Sequence, residues 1–242
     1  MNITILGGGI ASIALAYFLQ KSNKIKKITI LEKENNIGGL LRSYRIKKIF
    51  YDVGPHIIFS KHKDILKLML TLLKKNNVKI KRSNKIVYKN NYYIKYPYEN
   101  DLYKLPTKDR KEALDKFIKN PFTKIKTNTM QDFFLKIFGK GIFDQYLKPY
   151  NNKIWKMDVS KLDTQMVSRI PQPPVEDIIK SANGISTEGY KHQLYFNYPK
   201  KRGIQSLFDA FTEKLNKKKV EIIKEFKINK IIKKDKLFMV LG

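Results

Sequence analysis

The sequence contains no cysteine, which excludes disulfides, thiolate catalysis and cysteine-ligated zinc or iron–sulfur clusters. Histidine is nearly as scarce. Only His56, His62 and His192 are present, and their spacing matches no metal-binding motif. We therefore expect no metal site.

Long hydrophobic runs are also missing. The most apolar windows, residues 57–59 and 66–73, are much shorter than the ~20 apolar residues that a membrane-spanning helix needs. The N-terminus does not resemble a signal peptide, because no positive charge precedes its apolar run and the glycines at residues 7–9 interrupt that run. These features predict a cytoplasmic protein with no transmembrane segment.

Arginine is rare in a chain that is otherwise strongly basic. The formal net charge is +29, yet only six of the 50 basic residues are arginine and the rest are lysines spread along almost the whole chain. Surfaces that read phosphates or bases tend to concentrate arginine forks in one stripe. We interpret the charge as a solvated lysine surface and predict no specific nucleic-acid partner. A basic nucleic-acid- or membrane-surface-binding protein is the alternative.

Hydrophobic periodicity predicts a β-α-β unit at the N-terminus, with a strand at residues 2–6, a helix at 10–20 and a strand at 28–31. The chain stops at Gly242, directly after an apolar strand predicted at residues 237–240. Because an apolar strand is an unusual place for a domain to end, we expect the chain to be truncated, with the C-terminal section of its last domain missing. The other predicted elements are a helix at 64–74, a hairpin at 86–96, a helix capped by Thr129 and Asp132 and stopped by Gly139, a helix ending at Pro149, a helix at 204–215 and strands at 220–223, 226–232 and 237–240.

The segment GGGIAS at residues 7–12 fits the phosphate-binding pattern G-x-G-x-x-G with serine in the third position. Gly7 permits the tight turn, Gly9 lets the backbone approach a pyrophosphate, and Ser12 is small enough for close helix–strand packing. Ile10 and Ala11 open the helix, whose N–H groups and dipole attract phosphate. Glu32, with Lys33 beside it, ends the second strand, where an acid can accept hydrogen bonds from ribose hydroxyls. This context predicts dinucleotide binding.

A second glycine pair, Gly38 and Gly39, lies six residues after Glu32 and is followed by Arg42. In this position it resembles the second FAD motif of the glutathione-reductase-type flavoproteins, within the amine oxidase and protoporphyrinogen oxidase group. The resemblance implies that these glycines lie against the cofactor and that Arg42 lies near its pyrophosphate. NAD would not need this second motif, so we predict FAD.

Further segments are similar to the UDP-galactopyranose mutases and their protoporphyrinogen-oxidase-like relatives. They are YDVGPHIIFS at 51–60, YPYENDLYKLP at 96–106, YNNKIW at 150–155, RIP at 169–171 and YPKKRGI at 198–204. The chain departs from that pattern in three ways. A late Gly-Asp motif is absent, Gln172 and two prolines replace an expected second arginine, and Arg202 stands where glycine is usual.

The resemblance implies roles for individual residues. Gly54 and Pro55 would hold His56 beside the flavin, which makes His56 the candidate catalytic residue. Arg169 would grip a diphosphate, and Trp155 would form a wall of the pocket. The implied substrate-binding set is Tyr98, Tyr103, Asn151, Trp155, Arg169 and Tyr198.

The expected fold class is α/β. A Rossmann-like FAD-binding domain of the glutathione-reductase type, residues 1–85 and 200–242, would carry an inserted mixed α+β substrate domain at 86–199. The resemblance implies an FAD-dependent mutase that interconverts pyranose and furanose forms of a UDP-sugar. An FAD-dependent oxidoreductase that transfers a hydride from its substrate to the flavin is the alternative enzyme.

Overall fold

The computed structural model describes residues 1–89, 92–167, 170, 172–187, 194–235 and 237–242. These residues form two compact units. Unit 1 comprises Met1–Ile80 and Phe196–Gly242, and unit 2 is the intervening segment Lys81–Tyr195. The assignment of the units as an FAD-binding domain and a substrate domain stays a prediction.

A three-stranded parallel sheet organises unit 1. Its order is β1 (Asn2–Leu6), β2 (Lys27–Leu31) and β9 (Val220–Ile223), with Ile3 opposite Ile28 and Ile28 opposite Val220. Consecutive β-branched residues, Ile-Thr-Ile in each strand, favour the strand conformation in β1 and β2. Parallel neighbours require a crossover, which helix α1 (Ile10–Leu19) supplies between β1 and β2.

Three helices enclose the core of unit 1: α1, α2 (Lys63–Leu73) and α7 (Gln205–Thr212). Both α1 and α2 contact α7, and the rings of Tyr17 and Phe211 meet edge to face at 5.4 Å. The fully or nearly buried core side chains include Ile13, Ile28, Ile30, Leu73, Phe208 and Phe211.

Two-stranded pairs complete the strands of unit 1, and β3–β4 and β10–β11 are antiparallel. β3 (Ser43–Ile46) pairs with β4 (Ile49–Asp52), and β10 (Lys230–Lys234) pairs with β11 (Leu237–Leu241). β5 (Val78–Lys81) pairs with β8 (Tyr195–Tyr198). The strand predicted at residues 226–232 begins only at Lys230. The Phe226 N–H is donated to the Glu32 carbonyl and not to β11, so residue 226 is outside the β10–β11 pair.

The described part of unit 2 combines one hairpin with four α-helices around an aromatic core. The hairpin consists of β6 (Lys85–Tyr88) and β7 (Tyr92–Lys95). The helices are α3 (Thr107–Ile118), α4 (Met130–Ile142), α5 (Lys148–Trp155) and α6 (Val175–Ala182). The predicted capping box of α4 is present, since the Thr129 hydroxyl accepts from the Asp132 N–H while the Asp132 carboxylate accepts from the Thr129 N–H.

The prediction that a helix ends at Pro149 is wrong. The chain passes from α4 through a wide π-helical turn, Phe143–Leu147, directly into α5, and Pro149 lies in the first turn of α5. Proline has no N–H to donate, and Pro149 lies just after the π-helical turn, where the regular α-helical hydrogen-bond pattern is interrupted. Of the described helices, none is long and apolar enough to cross a membrane.

Candidate functional site

The first glycine turn of unit 1 leaves open space at the start of α1. Gly7 has φ +88° and donates its N–H to the Leu31 carbonyl at 2.7 Å, which fixes the turn between β1 and the helix. Gly9 is the N-cap residue, and a Cβ built on it would meet no atom within 4 Å. The first-turn residues, whose N–H groups have no carbonyl partner within the helix, are Ile10, Ala11 and Ser12.

The two glycine motifs lie in backbone contact. The Gly38 N–H donates to the Gly8 carbonyl at 2.9 Å, and a Cβ on Gly39 would lie 3.4 Å from the Gly9 Cα. Gly38 and Gly39 have φ of +124° and +54°, in the left-handed region that favours glycine. The pair predicted from sequence to share one cofactor therefore forms one continuous surface.

The Glu32 carboxylate is fixed beside this surface. Its Oε2 accepts from the Gly8 N–H at 2.6 Å and its Oε1 from the Glu34 N–H at 2.9 Å. Burial alone would raise the pKa of Glu32, but these hydrogen bonds, a third from the Lys33 N–H, and the Lys33 charge together hold it below its usual value. An ionised carboxylate has about four acceptor sites, so it can also accept hydrogen bonds from ribose hydroxyls. The Lys33 side chain itself is largely exposed.

Arg42 places a positive charge next to the second glycine pair. Its Nε donates to the Gly39 carbonyl at 3.0 Å, and its Cγ lies 3.0 Å from the position a Cβ on Gly38 would occupy. The half-buried side chain also lines a cleft of about 300 Å³ together with Asn36, Gln205 and Lys224. The arrangement fits the predicted role near a pyrophosphate.

The segment that contains His56 is attached to the rest of unit 1 by backbone pairing. Ile58 is buried and exchanges hydrogen bonds with Asn197, of 2.8 and 3.0 Å. His56 is half-buried, and its Nδ1 is buried without a hydrogen-bond partner among the described residues. Gly54 lies against the imidazole, since a Cβ there would be 3.7 Å from its Cε1, while Pro55 is exposed.

Sequence reasoning missed a polar cluster around Asp52. The Asp52 carboxylate accepts from the Tyr198 hydroxyl, from the Ser43 hydroxyl at 2.6 Å and from the Ile204 N–H at 3.0 Å. Ser43 and Gln205 also exchange hydrogen bonds. Burial and the hydrogen bond to Asp52 raise the pKa of Tyr198. The hydroxyl of Tyr198, a predicted substrate residue, is thus used to tie β4 to β8 and the start of α7.

Gly203 lies against this cluster. Gly203 has φ +64°, and a Cβ on it would collide with the Ser43 hydroxyl and the Asp52 carboxylate. A glycine directly before a helix is ordinary, so the sequence alone does not show that two distant side chains fill its place.

In unit 2, Tyr98 lies inside the core and not on a surface. It is fully buried, donates its hydroxyl to Gln145 Oε1 at 2.9 Å, and stacks on Tyr146 with ring centroids 4.7 Å apart. Tyr146 stacks in turn on Tyr150, at 5.1 Å. Burial raises the pKa values of Tyr98 and Tyr146, which keeps both phenols neutral.

The remaining predicted substrate residues differ in exposure. Trp155 ends α5 and is 41% exposed, and Tyr103 is 56% exposed with the Arg110 guanidinium 4.9 Å from its ring. Asn151 is buried and donates to the Leu147 carbonyl at 2.8 Å. Arg169 lies outside the described residues.

The chain is similar to several known proteins, in part or over nearly its whole length. The family described as NAD(P)-binding Rossmann-like domain matches residues 5–72. Coproporphyrinogen III oxidase of Staphylococcus aureus (strain NCTC 8325 / PS 47) is 23% identical over 99% of this chain and 57% of its own length. L-amino acid oxidase Cdc18 of Crotalus durissus cumanensis is 32% identical, over 26% of this chain and 12% of its own.

Solved structures share the fold. Reduced UDP-galactopyranose mutase superposes with a TM-score of 0.81 and 25% identity, over 94% of this chain and 49% of the mutase. A putative protoporphyrinogen oxidase from Exiguobacterium sp. 255-15 gives 0.71 and 17%, over 99% of this chain and 56% of the oxidase. The chain thus spans about half the length of these relatives. These matches confirm the predicted α/β fold class with a Rossmann-like unit. They also confirm the resemblance to the amine oxidase and protoporphyrinogen oxidase flavoproteins.

Proposed function

We propose, from the chain's relationship to the FAD-dependent amine oxidase and protoporphyrinogen oxidase flavoproteins, that unit 1 binds FAD for an enzyme of this group. The observation that carries the proposal is the backbone contact between the two glycine motifs at the N-terminus of α1. A single motif would serve either dinucleotide, whereas the second pair beside the first favours FAD over NAD.

The described residues fit the cofactor in three respects. The space beside Gly9 and the N–H groups that open α1 suit a pyrophosphate. The Glu32 carboxylate, held by backbone N–H groups that include those of Gly8 and Glu34, is oriented to accept hydrogen bonds from ribose hydroxyls. Arg42 adds a positive charge on the side of the second glycine pair.

Bound FAD would supply the reactive ring system, as electron acceptor or as nucleophile, and the protein would position it and its substrate. His56 is the candidate group beside the flavin, since its buried Nδ1 has no hydrogen-bond partner in the described part of the chain. That nitrogen would meet a polar atom of cofactor or substrate, because an unpaired buried polar atom is costly.

The finer proposal is a mutase that interconverts pyranose and furanose forms of a UDP-sugar. The YNNKIW segment and the fold shared with UDP-galactopyranose mutase support it. Trp155 would form a wall of the sugar-nucleotide pocket and Arg169 would hold the diphosphate, so that the anomeric carbon stays at a fixed distance from the flavin. Tyr103 and Asn151 belong to the proposed set as well. The hydroxyls of Tyr98 and Tyr198, the other two sequence-predicted members, are bound to Gln145 and Asp52 within the protein.

An FAD-dependent oxidoreductase is the second candidate. It is favoured by the Staphylococcus aureus coproporphyrinogen III oxidase, whose similarity extends over 99% of this chain. The substrate would then be a lipophilic or amine compound that gives a hydride to the flavin, and a diphosphate clamp would not be needed.

The two candidates are separated by their products. We expect the FAD-loaded, dithionite-reduced protein to convert a UDP-pyranose to its furanose form with no net redox change. Chromatography of the nucleotide sugars measures this conversion. Oxygen consumption with a porphyrinogen or an amine, together with no change in UDP-sugars, would instead establish the oxidoreductase. Arg169→Ala should weaken UDP binding by about 1.5–3 kcal/mol in the mutase case only.

A further inference from the structure

Helix α2 carries a stripe of alternating lysine and leucine, and the leucines of the stripe also pack against the core of unit 1. Leu72 and Leu73 are buried in the core of unit 1. Another set recurs every three to four residues and lines one shallow cleft of about 520 Å³: Lys63, Leu66, Lys67, Leu70, Thr71 and Lys74. The lysines in it are exposed and the leucines half-buried. This spacing aligns them along one helical face.

The lysines of this stripe are not neutralised by carboxylates. Some lysines on other helices pair with acids one turn away, as Lys119 with Asp115 at 3.0 Å and Lys140 with Asp144 at 2.5 Å. Within the described part of the chain, no lysine of the α2 stripe forms an ion pair, and the only acid on α2 is Asp64 in its first turn. The positive charge of α2 is therefore available to an external partner.

Two further lysines, Lys200 and Lys201, lie in a turn that is hydrogen-bonded to Asn76, just after the C-terminal end of α2. Asn76 accepts from the Lys201 N–H at 2.9 Å and donates to the Lys201 carbonyl at 3.3 Å. The Ser206 hydroxyl donates to that carbonyl as well, at 2.7 Å. Lys200 and Lys201 are exposed in this anchored turn and extend the basic surface beyond Lys74.

We propose that this surface, the α2 stripe with Lys200 and Lys201, docks the protein reversibly on an anionic lipid membrane. Ammonium groups would meet lipid phosphates, while the parts of Leu66 and Leu70 that line the cleft would contact the boundary between headgroups and acyl chains. A nucleic acid would not use the leucines and is usually read by arginine forks, which the stripe lacks. The inference is independent of the proposed flavin chemistry.

The test is sedimentation of the 242-residue protein with vesicles of phosphatidylcholine containing about one third phosphatidylglycerol. We expect binding to these vesicles, none to phosphatidylcholine alone, and release at about 0.5 M salt. The variant K63Q/K67Q/K74Q should bind about 100-fold more weakly, since each lysine near an anionic surface contributes about fivefold.

A matched variant removes the same charge elsewhere. K124Q/K126Q/K161Q takes three exposed lysines from unit 2 and should bind like the unmodified protein, with thermal unfolding confirming that both variants fold. Equal losses in the two triple variants would overturn the proposal, because binding would then follow net charge alone. So would the absence of sedimentation, or binding to a short DNA duplex that depends on the α2 lysines while vesicles are ignored.

Discussion

Gly9 in unit 1 and Gly141 in unit 2 serve opposite purposes. In unit 1, a Cβ on Gly9 would meet nothing within 4 Å, so this glycine keeps space open. In unit 2, a Cβ on Gly141 would lie 2.7 Å from the Glu112 carbonyl oxygen and 2.8 Å from the Ala113 Cα, and one on Gly139 would collide with the Lys116 carbonyl. These glycines close the space between α3 and α4.

The difference separates glycines that serve a ligand from glycines that serve packing. An open glycine next to a helix N-terminus leaves room for a molecule the protein does not itself provide. A closed glycine allows two helices to approach backbone to backbone, and Gly139, with φ +69°, also breaks the regular geometry of α4 there. Substitutions at the two kinds of position should therefore affect different properties.

The largest effect on stability is expected for Gly141→Val. Its side chain would overlap backbone atoms of α3, which cannot move aside as the end of a flexible side chain can. We expect the free energy of unfolding to fall by about 3 kcal/mol, measured by urea denaturation. A loss below about 0.5 kcal/mol would show that α3 and α4 are not packed as described.

Glu32→Gln should have the next largest effect. An amide retains one acceptor but cannot be an anionic partner to both the Gly8 and Glu34 N–H groups, so we expect a loss of about 2 kcal/mol at pH 7. Because folding lowers the pKa of Glu32, its contribution is present above the unfolded-state pKa near 4.5 and is lost as the pH falls through the folded-state value.

The stability difference between the unmodified protein and Glu32→Gln should therefore shrink as the pH is lowered below 4.5. Urea denaturation at several acidic pH values measures it. A difference that stays constant with pH would mean that the carboxylate is not preferentially ionised in the folded protein.

A smaller effect is expected for Tyr98→Phe. The change removes the hydroxyl that donates a hydrogen bond to Gln145 Oε1 inside the core of unit 2. The free energy of unfolding should fall by about 1.5 kcal/mol. If Tyr98 acts only in the core, ligand affinity should not change. Unchanged stability with a reduced affinity for a UDP-sugar would instead support the predicted role of Tyr98 in substrate binding.

Local patterns in the sequence predicted part of this structure. The glycine turn, β1, α1 and the Thr129–Asp132 capping box each depend on residues close together in the chain, whose chemistry selects one backbone conformation. The acid at the end of β2 was also predictable, although the sequence suggested a partner for ribose and not its hydrogen bond to Gly8.

Contacts between distant residues were not predictable in the same way. The Asp52 cluster brings β4 together with Tyr198 and Ser43, and no local pattern encodes such a pairing. Tyr98 was assigned to a pocket because its segment resembles a family motif, whereas its stacking on Tyr146 depends on how α4 and α5 continue through Pro149. Tertiary packing decides whether an aromatic residue lines a site or fills a core.

The most direct test of the account is titration of FAD into the 242-residue protein and its Gly9→Val variant, followed by flavin fluorescence. We expect the unmodified protein to bind FAD in preference to NADH. The free energy of unfolding of the variant should lie within about 1 kcal/mol of that of the unmodified protein, because the new side chain meets only open space. The variant should nevertheless bind FAD at least about 100-fold more weakly. Equal FAD affinity in the two proteins, or binding of NADH without FAD, would contradict the assignment of this glycine turn as the flavin site.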